Sequence, residues 1–363
     1  PFAAGSANST TGIGCPDADG DGLADFEQAV FYDWTDSGPY HINLNTMAPS
    51  VHANAWAINN SYFYSGSDNN EVRIYDSKGY HKGLIRTMPG AVYDIEVSPD
   101  GSKIIVASGN GGCMVLNSTN GNLIKNLWQD KGNDGIAEVA WSTDGSMVYC
   151  GGTNRALVSF YANNWTEHNA IGTIGWVGGM ALTPDDRLVF LSDNQDVYGY
   201  WTSNYTPYHT IDNHTGYVGV LEISPDGRYL ATGSFDNKVI ITDIQNKTIV
   251  NVIDFGGWVH DIDFSPDGGS MLVTMGFGDT IYIYRTDTWG LYAEIPGFGN
   301  AGNNRGVFSA EFSEDGDSIA TGWRRGWVSV QMLQDQFTQI RGGHYTSLME
   351  SPWKDNYPTV DEV

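Results

Sequence analysis

Six short segments of this chain run into the same turn. IEVSPDG, VAWSTDG, MALTPDD, LEISPDG, IDFSPDG and AEFSEDG each lead an apolar strand-like run into Ser or Thr, a spacer residue and Asp. The turn aspartates, Asp100, Asp144, Asp185, Asp226, Asp267 and Asp315, stand 44, 41, 41, 41 and 48 residues apart. Self-similarity at that period marks a repeated four-stranded unit, the blade of a β-propeller. A weaker copy, AWAINNSYFYSGSDNNEVRIYD, precedes the six and lacks the Asp-Gly turn, which brings the count to seven. Inside the units the apolar pattern is that of strands, as in YLATGS, KVIITDI and TIVNVID, and no segment has helical periodicity. The expected fold is all-β: a seven-bladed β-propeller of four-stranded blades.

The segment NHTGYVGVLEISPDGRYLATGSFDNKVIITDI, from Asn213, resembles a repeat of the WD-repeat propellers: a His before the inner strand, the SPDG turn, the Gly-Ser pair and the tight-turn Asp236. The resemblance covers about residues 39 to 345. The family's closing Trp-Asp pair is replaced by Tyr75-Asp76, Leu116-Asn117 and Thr242-Asp243. What the resemblance implies is a hydrogen-bond network around His214 that braces its blade, and an N-terminal strand that completes the last blade. Residues 41 to 47 read as that strand, because HINLNTMAPSVHANAW parallels LIRTMPGAVYDIEV; FTQIRGG, from Phe337, reads equally well as an outer strand. One of the two must close the ring, since an open propeller keeps two exposed sheet edges. The chain then divides into an arm (1–38), the propeller (39–345) and a tail (346–363).

The arm contains CPDADGDGLADFEQ. Asp17, Asp19, Asp21, the Leu23 carbonyl and Asp25 occupy positions 1, 3, 5, 7 and 9 of a calcium loop, with Gly22 at the sharp-turn position 6. Hard oxygen ligands at alternating positions converge on one Ca²⁺. Position 12 is Gln28 in place of a bidentate glutamate, and Glu27 is the nearest substitute. The stretch also resembles thrombospondin type 3 calcium repeats, which implies a structural fastening rather than a catalytic site. A solvated acidic turn is the alternative.

Asp and Glu number 43 against 18 Lys and Arg, a formal charge of −25. Such a surface repels phosphate backbones and anionic headgroups, so nucleic acid is excluded as a natural partner. No apolar run approaches the ~20 residues of a membrane-spanning helix. The chain begins at Pro1, which suggests a trimmed, exported form. Asn-X-Ser/Thr sequons at Asn8, Asn59, Asn117, Asn164, Asn204, Asn213 and Asn246 fit an extracellular or cell-surface glycoprotein. The three cysteines exclude a disulfide framework. Cys113 and Cys150 fall in adjacent blades, where a bridge is one option and two buried small apolar residues the plainer one. Cys15 is placed to tie the arm down or to link subunits.

Two further constellations sit inside the repeats. GWV, GYV and GWV place Trp176, Tyr217 and Trp258 at the entrances to three consecutive inner strands, an aromatic arc suited to recognition or sugar stacking; filling the grooves between blades is the plainer alternative. Asp94, Glu96, Glu138, Glu222, Asp261, Asp263 and Glu311 alternate along inner strands and face the axial channel, as solvated walls or as a cation site. Enzyme signatures are missing: there is no Gly-X-Ser-X-Gly elbow, no phosphate loop and no His-Glu-X-X-His. Of eight scattered histidines, His260 beside Asp261 is the one to inspect for catalysis. The expected function is noncatalytic: a secreted, calcium-fastened propeller that binds protein partners or itself in a filament, surface layer or larger complex. The competing functions are glycan binding and an extracellular hydrolase or lyase with a cation at the channel mouth.

Overall fold

The computed structural model describes residues 41–43, 50–127, 136–152, 157–172, 177–278, 280–296, 306–324 and 326–333. The calcium loop, Cys15, Asn8, Trp176 and FTQIRGG lie outside them.

The described strands form seven four-stranded antiparallel sheets. Blades 1 to 6 are each continuous in sequence, at 51–87, 92–126, 136–171, 180–211, 218–254 and 259–296. Each runs inner, second, third and outer strand. Blade 7 takes its inner three strands from Val307–Phe312, Ser318–Trp323 and Trp327–Met332 and its outer strand from the other end of the chain. There His41–Asn43 pairs antiparallel with the third strand, His41 opposite Ser329. Of the two candidate closing strands, the N-terminal one completes the ring.

The repeated turn sequence is a hydrogen-bond device. In all six copies the Ser or Thr hydroxyl donates to the aspartate two residues on, from Ser98 to Asp100 (2.7 Å) through Ser313 to Asp315 (2.6 Å). The aspartate also accepts a backbone N–H two residues further, as from Arg228 to Asp226 at 3.0 Å. The residue after the aspartate must enter the left-handed region, which glycine does without steric cost, as at Gly227 (φ 72°). Blade 4 departs from this, with Asp186 at φ 58°. Its carboxylate accepts the Thr143 N–H of blade 3 at 2.9 and 3.0 Å, an inter-blade tie that glycine cannot make.

The core is divided into seven hydrophobic clusters among the described residues, one between each pair of neighbouring blades. Tyr64 and Val72 of blade 1 meet Val92, Ile104 and Leu116 of blade 2. Val51, Phe63 and Tyr75 of blade 1 meet Ala320, Val328 and Val330 of blade 7, so apolar burial closes the ring as well as strand pairing. Tyr75, standing where the resembled family has Trp, is fully buried and stacks on Phe63 at 5.4 Å. The bracing network implied for His214 is present: its ring nitrogens meet Thr232 Oγ1 at 2.8 Å and Asp236 at 3.1 Å, and the Thr232 hydroxyl donates to the Ile240 carbonyl.

Cys113 of blade 2 and Cys150 of blade 3 form a disulfide, with Cα atoms 6.2 Å apart. The plainer expectation of two unlinked apolar residues is thereby corrected. Both are fully buried within the cluster between blades 2 and 3, whose packing brings them to bonding distance.

Candidate docking site at the channel mouth

In six blades the inner strand carries a β-bulge at the same place. The register with the second strand shifts between Val51 and Ala53, Val92 and Asp94, Ile136 and Glu138, Val218 and Val220, Val259 and Asp261, and Val307 and Ser309. The skipped residues are His52, Tyr93, Ala137, Gly219, His260 and Phe308. A bulge leaves its extra residue unpaired and re-aims the side chain. Here all but Ala137 and Gly219 bear aromatic rings, and these touch around the mouth of the channel. His260 stacks on Phe308 at 4.0 Å, Phe308 lies 5.4 Å from His52, and His52 meets Tyr93 edge-on at 5.8 Å.

A second row stands outside this one. Tyr217 meets Phe235 at 5.3 Å, Phe235 stacks flat on Trp258 at 4.8 Å, and Trp258 meets Phe277 at 5.1 Å. The Arg324 guanidinium lies 5.3 Å from the Phe277 ring and 6.0 Å from Phe308, joining the rows. Tyr217 and Trp258, both expected from sequence, are brought together through Phe235. Trp258 and Phe277 do not merely fill inter-blade grooves, being 42% and 48% exposed, whereas Tyr217 is half-buried against Gly178 at the entry to blade 4. Sequence reasoning missed Phe235 and Phe277, in the loops between second and third strands, and the bulge residues His52, Tyr93 and Phe308; it singled out His260, but for catalysis. The available signal was the recurring Val or Ile just before each bulge position.

Below the mouth the channel encloses about 660 Å³, and all seven expected carboxylates line it. They are not plain solvated walls. An inner strand pairs on one side only, which leaves N–H groups of its free edge turned to the channel. Carboxylates of the preceding blade take them up. Asp94 accepts from Val139 at 2.9 Å and Glu96 from Trp141; Asp261 accepts from Ala310 and Asp263 from Phe312, both at 2.7 Å. Burial pushes the Asp94 carboxyl up to about 6 and Asp263 to about 7, against the pull of these bonds. Burial, reinforced by neighbouring carboxylates, holds Glu96, Glu138, Glu222 and Glu311 well above the usual range. Among the described residues no three His, Cys, Asp or Glu side chains converge as a metal set.

His260 serves as an aromatic surface rather than as half of an acid–base pair. Its ring is stacked on Phe308, and burial, followed by the nearby His52 and Arg324, pushes its pKa down to about 4. The neighbouring Asp261 spends its oxygens on the Ala310 and Ile262 N–H groups.

Comparison with known proteins agrees with this architecture. The sequence model of the WD domain, G-beta repeat, matches residues 44–76 and 205–243, which cover the first three strands of blades 1 and 5. Two of the blades thus carry the WD-domain repeat, and the seven four-stranded sheets make the fold a seven-bladed β-propeller. The chain is similar to eukaryotic translation initiation factor 3 subunit I of Aspergillus terreus, 34% identical over 102 residues, 27% of this chain and 30% of that protein. It is similar to autophagy-related protein 16 of Arabidopsis thaliana, 24% identical over 194 residues, 52% of this chain and 37% of the relative. A third relative is small ribosomal subunit protein RACK1y of Oryza sativa subsp. japonica, 23% identical over 164 residues, 44% of this chain and 48% of the relative. The matched stretches thus span less than half the length of each of these relatives.

Proposed function

We propose that this propeller is an exported, noncatalytic scaffold that docks a protein partner, or a further copy of itself, on the aromatic arc. The observation that carries this reading is the unbroken run of rings from the half-buried Tyr217 and Phe235 to the exposed Trp258 and Phe277, beside a channel mouth bearing four more. Exposed aromatics with an arginine among them make the energetic centre of a protein interface, because each buries a large rigid surface at small entropic cost. The chain's formal charge of −25 favours a partner that presents basic groups. Two of the relatives are by name a subunit of an initiation factor and a protein of the small ribosomal subunit, which supports work inside larger assemblies.

Export is supported by the Cys113–Cys150 bridge, since structural disulfides persist in oxidising compartments and are rare in reducing ones. In this reading the arm binds Ca²⁺ through Asp17, Asp19, Asp21, the Leu23 carbonyl, Asp25 and Glu27 or Gln28, and fastens neighbouring molecules together with the tail. Sedimentation and electron microscopy of the full chain, with and without chelator, test it. The expected result is assemblies that weaken on chelation and that the double variant Trp258→Ala/Phe277→Ala abolishes. Assemblies indifferent to that double variant would sink the arc as the docking surface.

A further inference from the structure

Antiparallel blades put the inner–second and third–outer turns on one face of the disc and all other connections on the opposite face. Five of the six described sequons fall on the first of these. Asn59 is in the inner–second turn of blade 1, and Asn117, Asn164, Asn204 and Asn246 are at the third–outer turns of blades 2 to 5. Asn213 alone lies on the face of the aromatic arc.

Three of the five share one local geometry. In Asn59-Asn60-Ser61, Asn164-Trp165-Thr166 and Asn204-Tyr205-Thr206 the middle residue is left-handed, at φ 55°, 61° and 54°. The hydroxyl of the third residue donates to the asparagine Oδ1 at 2.7, 2.7 and 2.8 Å, and its backbone N–H donates to the same oxygen at 3.1, 2.9 and 3.0 Å. Two donors on the carbonyl oxygen polarise the amide and make Nδ2 readier to lose a proton. The middle residue pins each turn to the body: Asn60 Oδ1 accepts the Glu314 N–H at 2.9 Å, Trp165 meets Trp141 edge-on, and Tyr205 is buried. The asparagines are held outward, exposed.

The other described sequons lack this arrangement. Asn117 is half-buried and accepts only the N–H groups of Thr119 and Asn120. At Asn246 the backbone N–H donates to Asp243, and Thr248 has already entered the outer strand. Thr215, the third residue of the Asn213 sequon, gives both its N–H and its hydroxyl to Asp236 in the His214 network. Nor does the turn require the triplet. Blade 6 makes it with Thr288-Trp289-Gly290, Trp289 again left-handed at φ 55°.

We propose that Asn59, Asn164 and Asn204 are N-glycan acceptors, so that sugar covers the turn face while the aromatic face stays bare for docking. The transfer needs a lipid-phosphate-linked sugar as donor. Nδ2 forms the bond to C1 of the sugar, the bond from C1 to the phosphate oxygen breaks with its electron pair going to phosphate, and Nδ2 gives up one proton to a base. No oxidant or reductant is involved.

The proposal rests on export, and one digest separates the two ideas. Protein purified from its native source is analysed by glycopeptide mass spectrometry under non-reducing conditions. The expected result is glycan on Asn59, Asn164 and Asn204, none on Asn213, and a linked Cys113–Cys150 peptide. The exposed Thr166→Ala and Thr206→Ala variants, made in the same host, each lose one glycan mass with the thermal melt retained. Bare Asn164 and Asn204 beside an intact disulfide would overturn the glycan proposal alone, as would Asn213 as the main acceptor. Bare sequons together with free Cys113 and Cys150 would overturn export as well.

Discussion

The two faces of the disc are made by the same strands but spend their polar and apolar groups differently. On the turn face, hydroxyls and carboxylates are consumed locally, as where Asp226 holds the Ser224 hydroxyl and the Arg228 N–H. On the channel-mouth face, bulges and second–third loops push rings outward, and Trp258, Phe277 and Tyr93 stay exposed. The first arrangement stabilises the chain, because each satisfied turn fixes two strands in register. The second leaves apolar surface in water, which costs stability until something covers it. The difference separates the residues that build the ring from those free to serve a partner.

That separation is broken or sharpened by four measurements. The largest effect on stability is expected from Cys113→Ser/Cys150→Ser, which frees a loop with a sequence separation of 37 and costs about 4 kcal/mol in denaturant titration. A change under about 1 kcal/mol would mean that inter-blade packing alone holds blades 2 and 3. On the turn face, Asp226→Ala removes two hydrogen bonds and is expected to cost about 1–2 kcal/mol by the same assay.

Between the faces, the channel carboxylates set the pH dependence. Asp94 and Asp263 titrate higher in the folded chain than unfolded, so the native state binds more protons and loses stability as pH rises from about 4 through 7. Asp144, held low first by its bonds from Ser146, and Asp243, held low first by the Asn246 N–H, act oppositely and lose their contribution as pH falls below the ordinary carboxylate range. The melting temperature is therefore expected to peak near pH 4, about 2–5 °C above its value at pH 8. A peak at or above pH 7 would show the channel acids to be well hydrated. The smallest stability effect is expected on the mouth face, where Trp258→Ala should shift unfolding by about 1 kcal/mol or less while assembly is lost. A larger cost would make Trp258 part of the ring's structure.

Much of the fold was legible because its signals are local. The Ser-X-Asp turns join residues two apart, and the period between them counts the blades. Even the irregular MALTPDD copy could be aligned, although the reason for Asp186 lies in Thr143 of the neighbouring blade. The candidate site was legible only in part. Tyr217 and Trp258 could be placed on one arc from the repeat, but Phe235 between them sits in a different loop of the blade and shares no motif with them. The acidic columns were visible as alternation, while their role was not, since their backbone partners lie 45 and 49 residues along the chain.

The sequence by itself determined the number of blades, the turn chemistry and the positions of the sequons, all properties of short segments whose hydrogen bonds close within a few residues. Tertiary structure decided which strand closes the ring, which cysteines meet, which rings form one surface and which sequon hydroxyls are free to hold their own asparagine. The first three depend on one blade packing against the next, set by burial between residues far apart in the chain; the last depends on bonds within a blade, such as the hold of Asp236 on Thr215.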